Sequence, residues 1–154
     1  MTTMTTETAM PVAQTVTTSR DIAASPERVF ALWTDPQAMM RWFGKDDMTN
    51  IDMAFEAVEG GHWHARARNA AGEVFRILGT VRAVEPARRL LMSWTYEAPD
   101  GALGNETELE VQFEPSAKGC QVTINHRRIL YTPDAFREGW EQSLDRMEGM
   151  AASG

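Results

Sequence analysis

The clearest hydrophobic pattern lies near the end of the chain, over residues 133–151. Apolar side chains recur there at spacings of four, four, three and four: Phe136, Trp140, Leu144, Met147 and Ala151. This spacing puts them on one side of an α-helix, and acidic residues occupy the opposite side. Pro133 suits a first helical turn, and the Thr132 side chain is expected to cap it. The pattern therefore predicts a helix with one apolar face to bury.

The beginning of the chain predicts one strand followed by two short helices. The Thr- and Val-rich segment Gln14–Ile22 suits a strand, and Ser25-Pro26-Glu27 carries the signals that open a helix. Asp35-Pro36 breaks that helix, and a second helix is expected over residues 37–43. Gly44 then ends it, and Lys45-Asp46-Asp47 is expected to be a solvated link.

From residue 51 onward, strand-like segments alternate with turn residues, which is typical of an antiparallel meander. The expected strands are 51–57, 63–69, 74–84, 89–96, 107–113 and a last one around His126. In segment 107–113 the alternation predicts that Leu109, Val111 and Phe113 face the core and that the carboxylates, Glu110 among them, face water. The sequence thus predicts an α+β domain over residues 14–151. Its curved antiparallel sheet has six to seven strands, with two short helices after strand one and a long C-terminal helix over a hydrophobic cavity.

Composition and charge narrow the function classes. A length of 154 residues suits one domain, and a net charge of −7 with scattered basic residues disfavours nucleic acid as a partner. Cys120 is the single cysteine, so an internal disulfide is excluded and a cytoplasmic, reducing location is expected. Residues 1–13 form an expected flexible tail, with the features of neither a signal peptide nor a membrane span.

Several short motifs share their order and spacing with a known family. They are Gly60-Gly61, Gly79 to Pro86, Arg89-Leu90-Leu91, Ser93-Trp94, Gly119 to Val122, His126 and Gly139-Trp140. Over residues 15–151 the chain resembles the bacterial-type members of the family named for the C-terminal domain of the eukaryotic heat-shock-protein ATPase activator. That family lies within the START and birch-pollen-allergen superfamily, SRPBCC. The resemblance implies a helix-grip fold, in which a curved sheet surrounds the last helix and encloses an apolar pocket.

Aromatic side chains are the candidates for the wall of that pocket. Large aromatic residues line ligand cavities as readily as they fill cores, so both interpretations stay open. The candidate ligand-binding residues are Phe30, Trp33, Trp42, Phe43, Phe55, Trp63, Phe75, Trp94, Tyr96, Phe113, Trp140 and Leu144.

His126 is the candidate polar residue of the pocket. Strand alternation puts it on the same inner face as Val122 and Ile124. An imidazole there could donate to a ligand oxygen or serve as a catalytic acid or base near neutral pH. The alternative is a core histidine bonded to a neighbouring hydroxyl, such as that of Tyr96.

His62 and His64 have the spacing of a metal-binding pair on a strand, with Glu56 across the turn. Strand alternation argues against a metal site, because Trp63 and Ala65 should face the core and both histidines should then face solvent. No metal and no cofactor are therefore expected.

Three functions remain as hypotheses. The first is binding of a hydrophobic, lipid- or polyketide-like small molecule, with walls from Trp63, Trp94, Phe113 and Trp140 and polar groups from His126 and Tyr96. The second is an enzyme, a cyclase, dehydratase or hydrolase, that uses the same cavity with His126 as acid or base. The third, implied by the resemblance alone, is stimulation of a heat-shock ATPase. Exposed aromatic surface would favour a homodimer.

Overall fold

The structure of the chain, a computed structural model, describes residues 12–153. Almost all of the predicted tail, residues 1–13, lies outside the described residues. Within the described range, seven strands form one antiparallel sheet in the order β1-β7-β6-β5-β4-β3-β2. Their bounds are β1 Gln14–Ile22, β2 Thr49–Phe55, β3 His62–Arg68, β4 Val74–Glu85, β5 Arg89–Glu97, β6 Thr107–Pro115 and β7 Cys120–Ile129.

Three helices accompany the sheet: α1 Pro26–Thr34, α2 Pro36–Trp42 and α3 Pro133–Ser153. Asp35 separates the first two, because its N–H closes α1 on the Ala31 carbonyl and its carboxylate caps α2 by accepting from the Gln37 N–H. Among the described residues, no helix has the length and apolarity that crossing a bilayer requires. The predicted α+β fold with a long C-terminal helix is confirmed.

The start of α3 differs from the prediction. Thr132 has a φ of 54°, and its hydroxyl donates to the Tyr131 carbonyl at 2.8 Å. The Thr132 backbone carbonyl accepts the first helical N–H groups instead, from Ala135 at 3.1 Å and Phe136 at 3.4 Å. The entry to α3 is therefore a tight backbone turn.

The core lies between the inner face of the sheet and the helices. Alternate residues of the central strands are fully buried there, such as Val81, Leu90 and Val111. From the other side, α1 and α2 contribute Trp33 and Trp42, and α3 contributes Trp140, Leu144 and Met147. Each such side chain stabilises the fold by about 1.5–3 kcal/mol relative to exposure. The face predicted from the helical periodicity is thus the one that α3 buries.

One residue of the outer face departs from the predicted pattern. Glu110 was expected to face water, but it is only 8% exposed. Arg89 Nε lies 2.6 Å from one of its carboxylate oxygens and Arg127 contacts the other. Burial by itself would raise the pKa of Glu110, but the hydrogen bonds from Arg127 and Arg89 outweigh it and keep that pKa below its usual value. The prediction failed because neighbouring strands supply arginines that cover the carboxylate.

Gly79 allows strands β3, β4 and β5 to be tied together from the inside. It lies directly opposite Trp63, whose indole Nε1–H passes over it to donate to the Ser93 carbonyl on β5 at 2.9 Å. A Cβ at position 79 would lie 1.9 Å from that carbonyl oxygen and 2.5 Å from the indole nitrogen. Only glycine fits, because neither backbone nor buried ring has room to move.

We expect Gly79→Ala to lower the free energy of unfolding by about 3 kcal/mol, since it combines a backbone clash with loss of the Trp63 hydrogen bond. Gly104→Ala is the matched control, because its Cβ would meet the nearest atom at 3.6 Å, an ordinary contact. Urea unfolding followed by tryptophan fluorescence measures both variants. Equal stability of the two would contradict the steric argument.

Candidate functional site

A cavity of about 380 Å³ opens between the first half of α3, strands β4 and β5, and the segment that follows α2. Its lining is dominated by aromatic and aliphatic side chains, with polar residues both in loops and on β5, β6 and α3. The lining residues are Phe43, Gly44, Lys45, Met48, Phe75, Ile77, Trp94, Tyr96, Gly104, Asn105, Thr107, Ile129, Leu130, Tyr131, Thr132, Ala135, Phe136, Gly139, Trp140 and Ser143.

The structure brings some of the predicted pocket residues to this cavity and places others elsewhere. Phe43, Phe75, Trp94, Tyr96 and Trp140 lie on its wall. The remaining candidates do not line it; they are Phe30, Trp33, Trp42, Phe55, Trp63, Phe113 and Leu144. The aromatic residues among them pack against one another, as Trp33 and Trp42 do at 4.6 Å, and against rings of the cavity wall, as Trp63 and Trp94 do at 5.5 Å.

The sequence reasoning missed the part of the wall that loops provide. Lys45 and Met48 come from the segment after α2, and residues 129–132 come from the end of β7 and the turn into α3. The path of a loop is not encoded in a periodic sequence pattern, so no pattern could identify these residues as part of the wall. The α3 residues of the wall could be predicted from the sequence, because Phe136, Gly139 and Ser143 follow helical spacing beside Trp140.

The loop after α2 is fastened to α3, so this wall of the cavity has a defined position. The Ser143 hydroxyl accepts from the Gly44 N–H at 2.9 Å and donates to the Gly44 carbonyl at 3.2 Å. Arg146 donates to the Trp42 and Gly44 carbonyls at 2.9 and 2.6 Å and pairs with Asp46 at 2.5 Å. Two α3 side chains thus satisfy the backbone where α2 ends.

His126 is part of a buried chain of hydrogen bonds that joins α3 to the sheet. Trp140 Nε1–H donates to His126 Nδ1 at 3.1 Å, and His126 Nε2 lies 2.7 Å from Thr107 Oγ1. The indole is only a donor, so Nδ1 must be the acceptor and the proton must sit on Nε2. The Thr107 hydroxyl accepts the hydrogen bond from His126 Nε2–H and donates to the Trp94 carbonyl at 2.9 Å. We call these groups the Trp140–His126–Thr107 chain.

This environment keeps His126 neutral. The side chain is 0% exposed, and burial lowers its pKa from 6.5 to about 3. Both ring nitrogens are bonded to protein groups, and His126 does not line the cavity. The geometry therefore favours the alternative of a core histidine bonded to a hydroxyl, which belongs to Thr107.

Tyr96 occupies a different place from the one the sequence suggested. Strand register pairs Trp94 with Thr107, which puts Tyr96 two residues farther along β5 from the histidine. Its ring is 40% exposed and packs on Phe75 with ring centres 5.4 Å apart. Burial raises the pKa of the Tyr96 phenol, with Glu73 and Asp100 adding to the effect. Tyr96 thus lines the cavity with a phenol that stays protonated at neutral pH.

The outer face carries the other histidines. Trp63 and Ala65 point into the core as strand alternation predicts, and His64 Nε2 lies 3.4 Å from an Asp52 oxygen. The Glu56 carboxylate accepts from the backbone N–H of His62 at 2.8 Å. Over the described residues, His, Cys, Asp and Glu side chains nowhere converge in a group of three or more that could hold a metal.

The stability of the protein should depend on pH through His126. The pKa of His126 in the folded protein lies below its unfolded value of 6.5. Below pH 6.5 the imidazole is therefore protonated in the unfolded chain but stays neutral in the folded chain. The contribution of His126 to the free energy of unfolding is fully present above about pH 6.5. Below that pH it falls by about 1.4 kcal/mol per pH unit until the pH reaches about 3. Thermal melts between about pH 7 and pH 5 isolate the effect, since carboxyl groups titrate mainly below this window.

His126→Gln should remove this pH dependence whatever its absolute stability. His64→Gln, a change at a partly exposed side chain on the outer face, should retain it. A wild-type slope in the His126→Gln variant would show that the buried imidazole is not the group responsible.

The hydroxyl of Thr107 should contribute more to stability than its methyl group. Thr107→Val keeps the shape but leaves the His126 Nε2–H without an acceptor, at a cost of about 2 kcal/mol. Thr107→Ser keeps the hydroxyl and loses only a buried methyl group, at a cost of about 1 kcal/mol. Urea unfolding compares the two, and a serine variant less stable than the valine variant would contradict the hydrogen-bond chain.

Solved structures with the same fold come from several bacteria. A protein from Chromobacterium violaceum is 21% identical, with a TM-score of 0.81, over 89% of this chain and 96% of that chain. The AHSA1 protein from Silicibacter pomeroyi is 23% identical, with a TM-score of 0.79, over 90% and 98%. The AHSA1-like protein from Aeromonas hydrophila is 24% identical, with a TM-score of 0.71, over 91% and 93%. These similarities establish the fold.

Comparison with curated proteins gives no match. The family model described as activator of Hsp90 ATPase homolog 1-like protein, in contrast, matches residues 23–152, which include α1, α2, strands β2 to β7 and nearly all of α3. The cavity, its loops and the Trp140–His126–Thr107 chain all fall inside that range. The chain therefore belongs to the AHSA1 family, within the SRPBCC superfamily, as its motifs suggested.

Proposed function

We propose that the protein binds a hydrophobic, lipid- or polyketide-like small molecule in the cavity between β4, β5 and α3. The observation that carries the proposal is the cavity itself, whose volume of about 380 Å³ lies in the range of small-molecule sites. Such sites are mostly apolar and hold a few polar groups that orient the ligand. Membership of a family with a ligand-binding fold supports the same conclusion.

The part of the cavity wall that contains Ser143 and Thr107 suits an apolar ligand because these two polar side chains are already bonded to the protein. Ser143 exchanges two hydrogen bonds with Gly44, and Thr107 bonds His126 and the Trp94 carbonyl. Around these groups lie the rings of Phe43, Trp94 and Trp140, with ring centres 5.4 to 6.4 Å apart. A hydrophobic molecule can displace water from such a wall without breaking any of these bonds.

The same geometry argues against acid–base chemistry by His126. A catalytic base must reach the proton that it removes, directly or through one water. Both nitrogens of His126 face Trp140 and Thr107, and its low pKa leaves it a weak base at neutral pH. We therefore prefer binding to catalysis by this residue. Stimulation of a heat-shock ATPase, a homodimer and a cytoplasmic location stay predictions from the sequence.

Native mass spectrometry of the purified protein, with no ligand added, tests the proposal. The native mass is compared with the mass after denaturation. We expect a reproducible adduct of a few hundred daltons, the size that a cavity of this volume accommodates. The adduct identifies the chemical class of the ligand.

A blocking substitution locates the binding site. Ala135 lies in the first turn of α3 and lines the cavity, so Ala135→Trp would fill part of it with an indole. Ala70→Trp is the matched control, because Ala70 is exposed in the turn between β3 and β4. With anilinonaphthalene as a fluorescent probe, we expect Ala135→Trp to weaken binding by about tenfold or more, a loss of about 1.4 kcal/mol, and Ala70→Trp to leave it unchanged. Undiminished binding by a folded Ala135→Trp variant would contradict the assignment to this cavity.

A further inference from the structure

We propose that the ligand is an amphipathic anion, whose acidic group binds the Lys45 ammonium at the edge of the cavity while its apolar body lies against the aromatic wall. This inference rests on the proposed function and specifies the class of ligand. Among the described residues that line the cavity, Lys45 is the one with a charged side chain, and that charge is positive.

The aliphatic stem and the ammonium of Lys45 lie in different surroundings. Lys45 lines the cavity, its Cγ lies against Gly139 of the same wall, and its ammonium lies 3.2 Å from Glu138 Oε1. The Lys45 side chain is 35% exposed, and that of Glu138, which does not line the cavity, is 56% exposed. The ammonium therefore lies on the solvent side of the cavity, where an acidic group of a bound ligand could stay partly hydrated.

Gly139 makes this course of the lysine side chain possible. A Cβ at position 139 would lie 3.3 Å from Lys45 Cγ, which is tighter than most real contacts. Gly139 lies in the second turn of α3, a position where glycine is a poor helix former. At Gly139 the lysine stem approaches the helix backbone closely, and the ammonium of the same side chain pairs with Glu138.

The Lys45 ammonium is available to an added anion. Its ion pair with Glu138 is solvent-exposed, and such pairs contribute little, so a ligand acid can share or replace the carboxylate. An ammonium also has three N–H donors, and one acceptor does not exhaust them. The adjacent Asp46 does not compete, because its carboxylate pairs with Arg146 at 2.5 Å.

A matched pair of dyes tests the inference. Anilinonaphthalene sulfonate and anilinonaphthalene share one apolar body and differ in the anionic group. We expect Lys45→Met, which keeps the stem but loses the charge, to weaken sulfonate binding by about fivefold. Binding of the neutral dye should be unchanged. Lys45→Arg should restore the preference for the sulfonate, and Glu138→Gln should strengthen sulfonate binding by removing the competing carboxylate.

The outcomes separate this inference from the function on which it rests. If both dyes bind the wild type and Lys45→Met changes their affinities by the same factor, or changes neither, the anion inference is wrong and hydrophobic binding stands. If neither dye binds the wild type, the proposed function fails and the inference fails with it. Thermal melts of each variant confirm that the fold is intact, as the exposure of both side chains leads us to expect.

Discussion

The hydrogen bond from the Trp140 indole to His126 Nδ1 is the contact on which the arrangement of this molecule depends. It connects α3 to strand β7 in a region from which water is excluded, where an unpaired donor or acceptor would be costly. The direction of every bond in the chain follows from the indole, which can only donate. A histidine in one tautomer, a threonine hydroxyl and the Trp94 carbonyl complete it. The chain of hydrogen bonds therefore holds α3 at a fixed distance from the sheet.

The cavity lies beside this connection, since Trp140 and Thr107 both line it. At one end of the sheet, α1 and α2 fill the space beneath α3 with Trp33 and Trp42. At the other end the sheet continues past these helices to Phe75 and Tyr96, where the first half of α3 and the loops enclose the cavity. The Trp140–His126–Thr107 chain lies next to the boundary between the two ends. Its polar groups bond one another, and the rings of Trp94 and Trp140 present apolar surface to the cavity.

Glycine has opposite uses in the two halves of this architecture. Gly79 brings an indole against a strand so that three strands are tied together, which closes the core. Gly139 leaves a gap on a helix so that the stem of Lys45 can lie there, which helps to form the open cavity wall. In each case the absent side chain matters more than backbone flexibility. A motif such as Gly139-Trp140 then combines a small residue at the cavity edge with a large one that anchors the helix.

The order of the elements, the faces that they bury and the inward orientation of His126 follow from the amino-acid pattern, because hydrophobic periodicity is a local property of each helix or strand. Which aromatic rings border the cavity cannot be read from that pattern, because it depends on where α1 and α2 cover the sheet in the folded protein. Strand register likewise made Thr107 rather than Tyr96 the partner of His126. It also brought Arg89 and Arg127 over Glu110. Lys45 looked like part of a solvated link, and it became part of the cavity wall because Ser143 and Arg146 fasten that loop to α3. Contacts between residues about a hundred positions apart leave no periodic trace in the sequence, so only the folded chain reveals them.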